Sequence, residues 1–347
     1  MALAWAFGGI LLGAGVLLFV AAHWDELSPA ERFALVLGMV ALSHVGGALL
    51  ASRIAPLATV LHAVGTLALG AGIFLAGQIF NLEEHWPGGI LLWALGALIA
   101  WAVLSDWAQA TLLALLTPTW LHGEWIVATE YYRGHDLILA SGLTLLSVVY
   151  FSARTKQADS PVRRALMWLG GLALIPCTFW LSLQREHWWS WQPGADIPAN
   201  LQLVGWVMAI GLPLAAGNAL RGRITWQPFA VAAWVALLGS TTRVHGFKNA
   251  FAQAWGELGS YLLCGLFSMA LVWWGLQEAR RERINMGIAG FGLTVLCFYF
   301  ATVMDKLGRS LSLMGLGLLF LGLGFGLRRA RTQLLARLEA TERQAQP

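Results

Sequence analysis

Charge is what this chain has least of: Asp, Glu, Lys and Arg together make 12 % of its 347 residues, where a soluble domain carries about 25 %. That shortfall excludes an ordinary water-soluble globule. Lysine occurs only at Lys156, Lys248 and Lys306, and the remaining basic residues are arginines in short loops, so no nucleic-acid-binding surface is implied. The three cysteines, Cys177, Cys264 and Cys297, lie inside apolar runs without CxxC spacing. Neither a disulfide framework nor a zinc knuckle follows from them, and buried free thiols do. There is no HExxH, no GxSxG and no Walker A loop, so the chain gives no support to an enzymatic activity and implies no cofactor.

What is present is apolar length. Hydrophobic residues make 58 % of the chain and the mean hydropathy is +0.66. A helix needs about 20 apolar residues to cross the hydrocarbon core. The pattern predicts an all-α, polytopic integral membrane helical bundle of about twelve transmembrane helices, near residues 2–22, 32–52, 57–79, 88–105, 107–121, 136–153, 164–184, 200–220, 226–242, 255–276, 284–304 and 310–327. The first is read as an uncleaved span, since no basic segment precedes it. The fifth holds Thr117 and Pro118 mid-segment and is expected to be kinked or partly re-entrant, because proline frees a carbonyl that must find another partner. Twelve spans put both termini on one side, with 15 of the 22 basic residues, among them Arg53, Arg154, Arg221, Arg280, Arg281 and Arg283. Basic loops stay in the cytoplasm, so both termini are expected there. Residues 1–327 read as a single transmembrane domain and 328–347 as a basic cytoplasmic tail. The localisation that follows is a membrane, crossed many times.

The stretch from Thr59 to Gly96 is the most distinctive. At 100° per residue, Thr59, His62, Thr66, Gly70, Gly77 and Asn81 share one small or polar helix face, which should avoid lipid. Ionisable groups within a bilayer are costly and point to function, and His44 and His62 are two such groups. His44 stands about 8 residues before the inner end of the second span and His62 about 6 after the inner start of the third, so at 1.5 Å per residue they share a depth. Beside His44, a small face of Ala41, Gly47, Ala48 and Ala51 could dock on the stripe. Two facing imidazoles could relay a proton or bind a metal, or each could be a neutral histidine bonded to a backbone carbonyl. The candidate intramembrane polar site is therefore His44, His62, Thr66, Gln78 and Asn81, with Gln78 about 100° off the stripe. A candidate outer-face site gathers His23, Asp25, Glu83, Glu84 and His85, whose donors suit a divalent metal in no established ligand spacing.

The string GAGIFLAGQIFNL, the acidic loop after it, ILLWALGALIAW and the opening GILLGAGVLLFVAAHWDELSP resemble bacterial membrane proteins catalogued as domain of unknown function 2157. The closing FYFATVMDKLGRSLSLMGLGLLFLGLGFGLRR is similar to the ends of such proteins, so the likeness lies over 1–105 and 298–329. It implies a helical inner-membrane protein and supplies no activity. The leading expectation is a transporter-like or small-molecule- or lipid-binding membrane protein, from the polar stripe and the prolines Pro118, Pro176 and Pro213 within spans. The alternative is a non-catalytic scaffold or accessory subunit of an envelope complex. The partners expected are the lipid bilayer, a small-molecule or lipid ligand, and a membrane protein or a second copy of the chain.

Overall fold

A computed structural model describes residues 27–79, 85–133, 135–155, 158–183, 195–221, 226–241 and 250–303, with isolated helical positions in 8–15 and 314–332. The described chain is all-α apart from two residue pairs, β1 (Tyr132–Arg133) and β2 (Ala195–Asp196), which bond in parallel. Its helices are α1 (Pro29–Leu50), α2 (Ala55–Ile79), α3 (Trp86–Leu104), α4 (Trp107–Thr129), α5 (His135–Phe151), α6 (Pro161–Leu183), α7 (Ala199–Trp206), α8 (Leu212–Arg221), α9 (Trp226–Ser240), α10 (Ala250–Gln277) and α11 (Arg281–Phe298). Among the described residues, seven helices are long and apolar enough to cross a membrane: Pro29–Leu50, Ala55–Gln78, Trp86–Leu104, Pro161–Ser182, Ala199–Arg221, Leu258–Gln277 and Arg281–Thr302. Their outward faces are apolar as well. Leu42, Leu49, Val103 and Leu172 are each more than 70 % exposed, which a water-facing surface would not sustain over contiguous patches. The chain is a multi-pass membrane protein.

Two compact units form, one of Met1–Tyr131 with Ser160–Leu166, the other of Tyr132–Asp159 with Met167–Pro347. The first is built from two hairpins, α1–α2 and α3–α4. Helix α1 starts on a capping box: Ser28 Oγ accepts from Glu31 N, and the Glu31 carboxylate accepts from Ser28 N at 2.8 Å, satisfying two donors the helix cannot. The α3–α4 turn is only Ser105 and Asp106, with Ser105 left-handed at φ 53° and Asp106 Oδ1 accepting from Gln109 N at 2.8 Å.

The expected interruption at Pro118 does not occur. Helix α4 runs unbroken for 23 residues with Pro118 inside it. The hydroxyls of Thr117 and Thr119 donate to Leu113 O (2.9 Å) and Leu115 O (2.8 Å), one on each side of the missing N–H, and support the turn so that the helix is not broken there. Pro176 likewise lies inside α6, while Pro213 follows a π-helical stretch, Val207–Gly211, whose wider turn absorbs the ring.

In the second unit α10 and α11 form a hairpin through Glu278–Arg280, with Ala279 left-handed at φ 52°. The core joins Leu145 and Val148 of α5, Leu174 and Leu181 of α6, Leu238 of α9 and Leu271 of α10. Backbones approach closely at two glycines: a Cβ on Gly170 would collide with the α5 backbone at Ser147 and Phe151, and one on Gly287 would meet Ser268 O at 2.5 Å. In lipid such contact supplies the packing energy that hydrophobic exclusion supplies in water.

Candidate functional site

The polar face of α2 does not line up against one neighbour; it is divided among three helices of the first unit. His62 turns toward α1. Its Nδ1 lies 3.1 Å from His44 Nδ1, with ring centroids 5.4 Å apart and planes tilted by 34°. Each ring sits over a glycine of the opposite helix: a Cβ on Gly47 would meet the His62 ring at 2.8 Å, and one on Gly65 the His44 ring at 2.7 Å. Any side chain at either position would push the rings apart, so the two glycines set the distance between the imidazoles.

One turn on, Thr66 faces α4. Thr66 Oγ1 lies 3.2 Å from His62 O and 2.9 Å from Gln109 Oε1, and Trp93 Nε1 of α3 donates to Thr66 O at 2.8 Å. Thr66 and Gln109 are fully buried, at 1 % and 0 % exposure. One hydroxyl hydrogen cannot serve two acceptors, and Gln109 Nε2 has no partner in the orientation that faces Oε1 to Thr66. Turning the amide resolves the conflict, with Nε2 donating to Thr66 Oγ1 and Thr66 donating to His62 O. Gly70 then gives its space to the Trp93 indole, which fills the position a Cβ would take. His44, His62, Thr66, Gln109 and Trp93 thus tie α1, α2, α3 and α4 together.

The chemistry of the pair follows from its geometry. A 3.1 Å contact between two ring nitrogens needs one N–H and one lone pair, so the two neutral imidazoles must hold opposite tautomers at Nδ1. An added proton makes one ring an imidazolium that still donates to the other. A second added proton would set two N–H groups face to face. The contact thus has a place for at most one bridging hydrogen. As a metal site it offers two nitrogens, and no group of three His, Cys, Asp or Glu able to hold a metal ion occurs among the described residues.

Gln78 is exposed near the far end of α2, about 18 Å along the helix from Thr66 at 1.5 Å per residue, and is not part of this cluster. Asn81, His23, Asp25, Glu83 and Glu84 lie outside the described residues. His85 is at the start of α3, where its Nε2 pairs with Glu124 Oε2 of α4 at 2.6 Å, while Trp120 Nε1 donates to Glu124 Oε1 at 2.8 Å. Both charged side chains are more than a third exposed, so this pair adds at most about 1 kcal/mol.

Sequence reasoning missed Gln109 and Trp93, and with them a second polar cluster in the other unit, whose arginines read only as orientation signals. Arg283 donates to Arg154 O (2.6 Å) and Ser152 O (3.1 Å) and lies against Glu278 Oε2 at 2.6 Å. That last contact is an ion pair between opposite charges. Arg221 reaches Glu278 Oε1 at 3.3 Å, and the two guanidinium groups lie over the Trp274 ring at 4.9 Å and 4.5 Å. Arg154 bridges Asp159 and Glu282, each at 2.5 Å. The usable signal was the crowding of Arg280, Arg281, Glu282 and Arg283 beside Glu278 in the sequence, a density that short solvated loops do not need.

Residues 1–109 match the model of a family described as predicted membrane protein, DUF2157. The matched segment contains every member of the His44–Gln109 cluster and ends on Gln109. No curated protein and no solved structure matches the chain.

Proposed function

We propose that this multi-pass protein is a transporter-like protein of a bacterial inner membrane, with twelve spans and both termini in the cytoplasm, whose first unit handles one proton at His44 and His62. The observation that carries the reading is the 3.1 Å contact between the two Nδ1 atoms inside apolar helices. Histidine is the side chain whose charge changes near neutral pH, and an ionisable pair within the membrane marks a proton or substrate path. His44 lies 6 residues from the end of α1 and His62 lies 7 from the start of α2, about 10 Å along either helix. Thr66 and Gln109 continue the polar contacts from His62 toward Asp106, the nearest carboxylate on that route. The outer-face residues His23, Asp25, Glu83, Glu84 and His85 and the stripe's Gln78 and Asn81 would form the far end of such a path.

A non-transporting scaffold or accessory subunit is the second reading, favoured by the complete burial of Thr66 and Gln109, which leaves the route dry. Proteoliposomes carrying a trapped pH dye separate the two. Under an imposed membrane potential, the transporter reading expects proton entry that falls about tenfold or more, roughly 1.4 kcal/mol per decade, in His44→Gln and in His62→Gln. Equal flux in the original chain and both variants assigns the pair to packing and the protein to the scaffold class.

A further inference from the structure

The second unit contains a cavity of about 450 Å³ between α6, α9, α10 and α11, within the range of small-molecule sites and far above the voids that packed interiors tolerate. Among the described residues no Asp, Glu, Lys or Arg lines it. Three of its hydroxyl groups are turned onto their own helices: Ser182 donates to Thr178 O, Ser268 to Cys264 O and Thr294 to Gly290 O, each at 2.8 Å. Trp234, which stacks on Phe267 at 3.9 Å to form one wall, donates its Nε1–H to Leu263 O at 3.1 Å. Water needs two to four polar partners to occupy a cavity; these four donors are engaged within the protein, and Thr178, Ser260 and Tyr261 are the other hydroxyl-bearing residues of the lining. Most of the remaining lining is aliphatic, aromatic and sulfur-bearing, with Met286, Cys264 and Cys297 among it, side chains that adapt to irregular apolar shapes. Phe179 and Phe300, both lining residues, are 53 % and 44 % exposed, which leaves the cavity a way out between apolar side chains.

We propose that this cavity binds a single hydrocarbon chain, the acyl or isoprenoid tail of a molecule that enters from the bilayer. Such a chain needs no hydrogen bonds, tolerates the satisfied hydroxyls, and reaches the site without crossing water. The inference is independent of the His44–His62 pair, which belongs to the other unit, so either can fail while the other stands.

The test uses the full chain in nanodiscs with a diazirine-bearing single-chain fatty acid, photolysed and mapped by mass spectrometry. Crosslinks are expected to concentrate in 174–182, 260–271 and 286–301 and to saturate near one chain per protein. Thr294→Phe and Cys297→Phe, which fill the cavity, should each lower that labelling at least fivefold in folded protein. Competition by unlabelled phospholipid or by an unlabelled polyprenol then identifies the source of the chain. Crosslinks that do not saturate, and that spread over outward positions such as Leu42 and Leu172, would overturn the proposal and make the cavity ordinary boundary-lipid surface. That stoichiometry needs no variant, so the proposal can fail even if neither filled cavity folds.

Discussion

Arg283 is the third residue of α11, and yet its side chain is 2 % exposed. A cation so buried persists only where every part of it is answered: here two carbonyls, the Glu278 carboxylate and the face of Trp274. Burial raises the Glu278 carboxyl, and Arg283, Trp274 and Arg221 together outweigh it and hold Glu278 below its ordinary value. A depressed carboxyl contributes stability that is fully present above its unfolded pKa, about 4.3, and lost as pH falls through the folded value. Thermal unfolding in detergent should therefore be insensitive to this group from pH 7 down to about 4.3 and fall below that. Glu278→Gln should flatten part of that fall and cost about 3 kcal/mol at pH 7, because Arg283 is left buried without its counter-charge. A slope that survives the substitution unchanged belongs to other carboxylates. At this scale the closeness of His44 and His62 was legible in the sequence, since depth follows from counting residues at 1.5 Å each. Gln109 was not, because nothing local to α4 says which face of α2 it meets.

Adjacent glycines of one helix do different jobs. On α1, a Cβ at Gly46 would meet Leu61 at 3.7 Å, an ordinary contact, whereas one at Gly47 would meet the His62 ring at 2.8 Å. Gly46→Ala should leave stability nearly unchanged. Gly47→Ala and Gly65→Ala should each cost about 1–3 kcal/mol by overpacking and separate the imidazoles, read as a lower unfolding midpoint together with reduced proton flux. Equal tolerance at Gly46 and Gly47 would show that the hairpin seam is loose. The expected small face of α1 is a packing face at Gly47, where it receives the His62 ring. The helix continues past Pro118 for a reason that is also elemental: proline propensity is read one residue at a time, and the Thr117 and Thr119 hydroxyls that support the turn act together with it.

For the whole molecule, the proposed twelve-span topology makes a direct prediction. Fusing a reporter that fluoresces only in the cytoplasm to either end should give signal at both, and a periplasm-active phosphatase should be inactive at both. Signal at only one end would mean an odd number of spans and would invert the assigned inner face for part of the chain. Seven helices among the described residues have the length and apolarity to cross. Helix α4, with 23 residues, is not one of them by composition, since Gln109, His122 and Glu124 lower its hydropathy. Gln109 is there to meet Thr66, and Glu124 to meet His85 and Trp120.

The sequence by itself determined the solvent this protein lives in and the character of its elements, because lipid requires about 20 apolar residues per helix whatever the helix later packs against. It also placed the two histidines at one depth. Only the tertiary structure decided which residues complete their polar chain, that the arginines beside Glu278 close over Trp274, and that α6, α9, α10 and α11 leave a cavity between them. Those facts depend on which faces of distant helices meet. In an apolar chain nearly every face is equally hydrophobic, so periodicity carries little record of the partner, and small residues, close approach and hydrogen bonding make the choice.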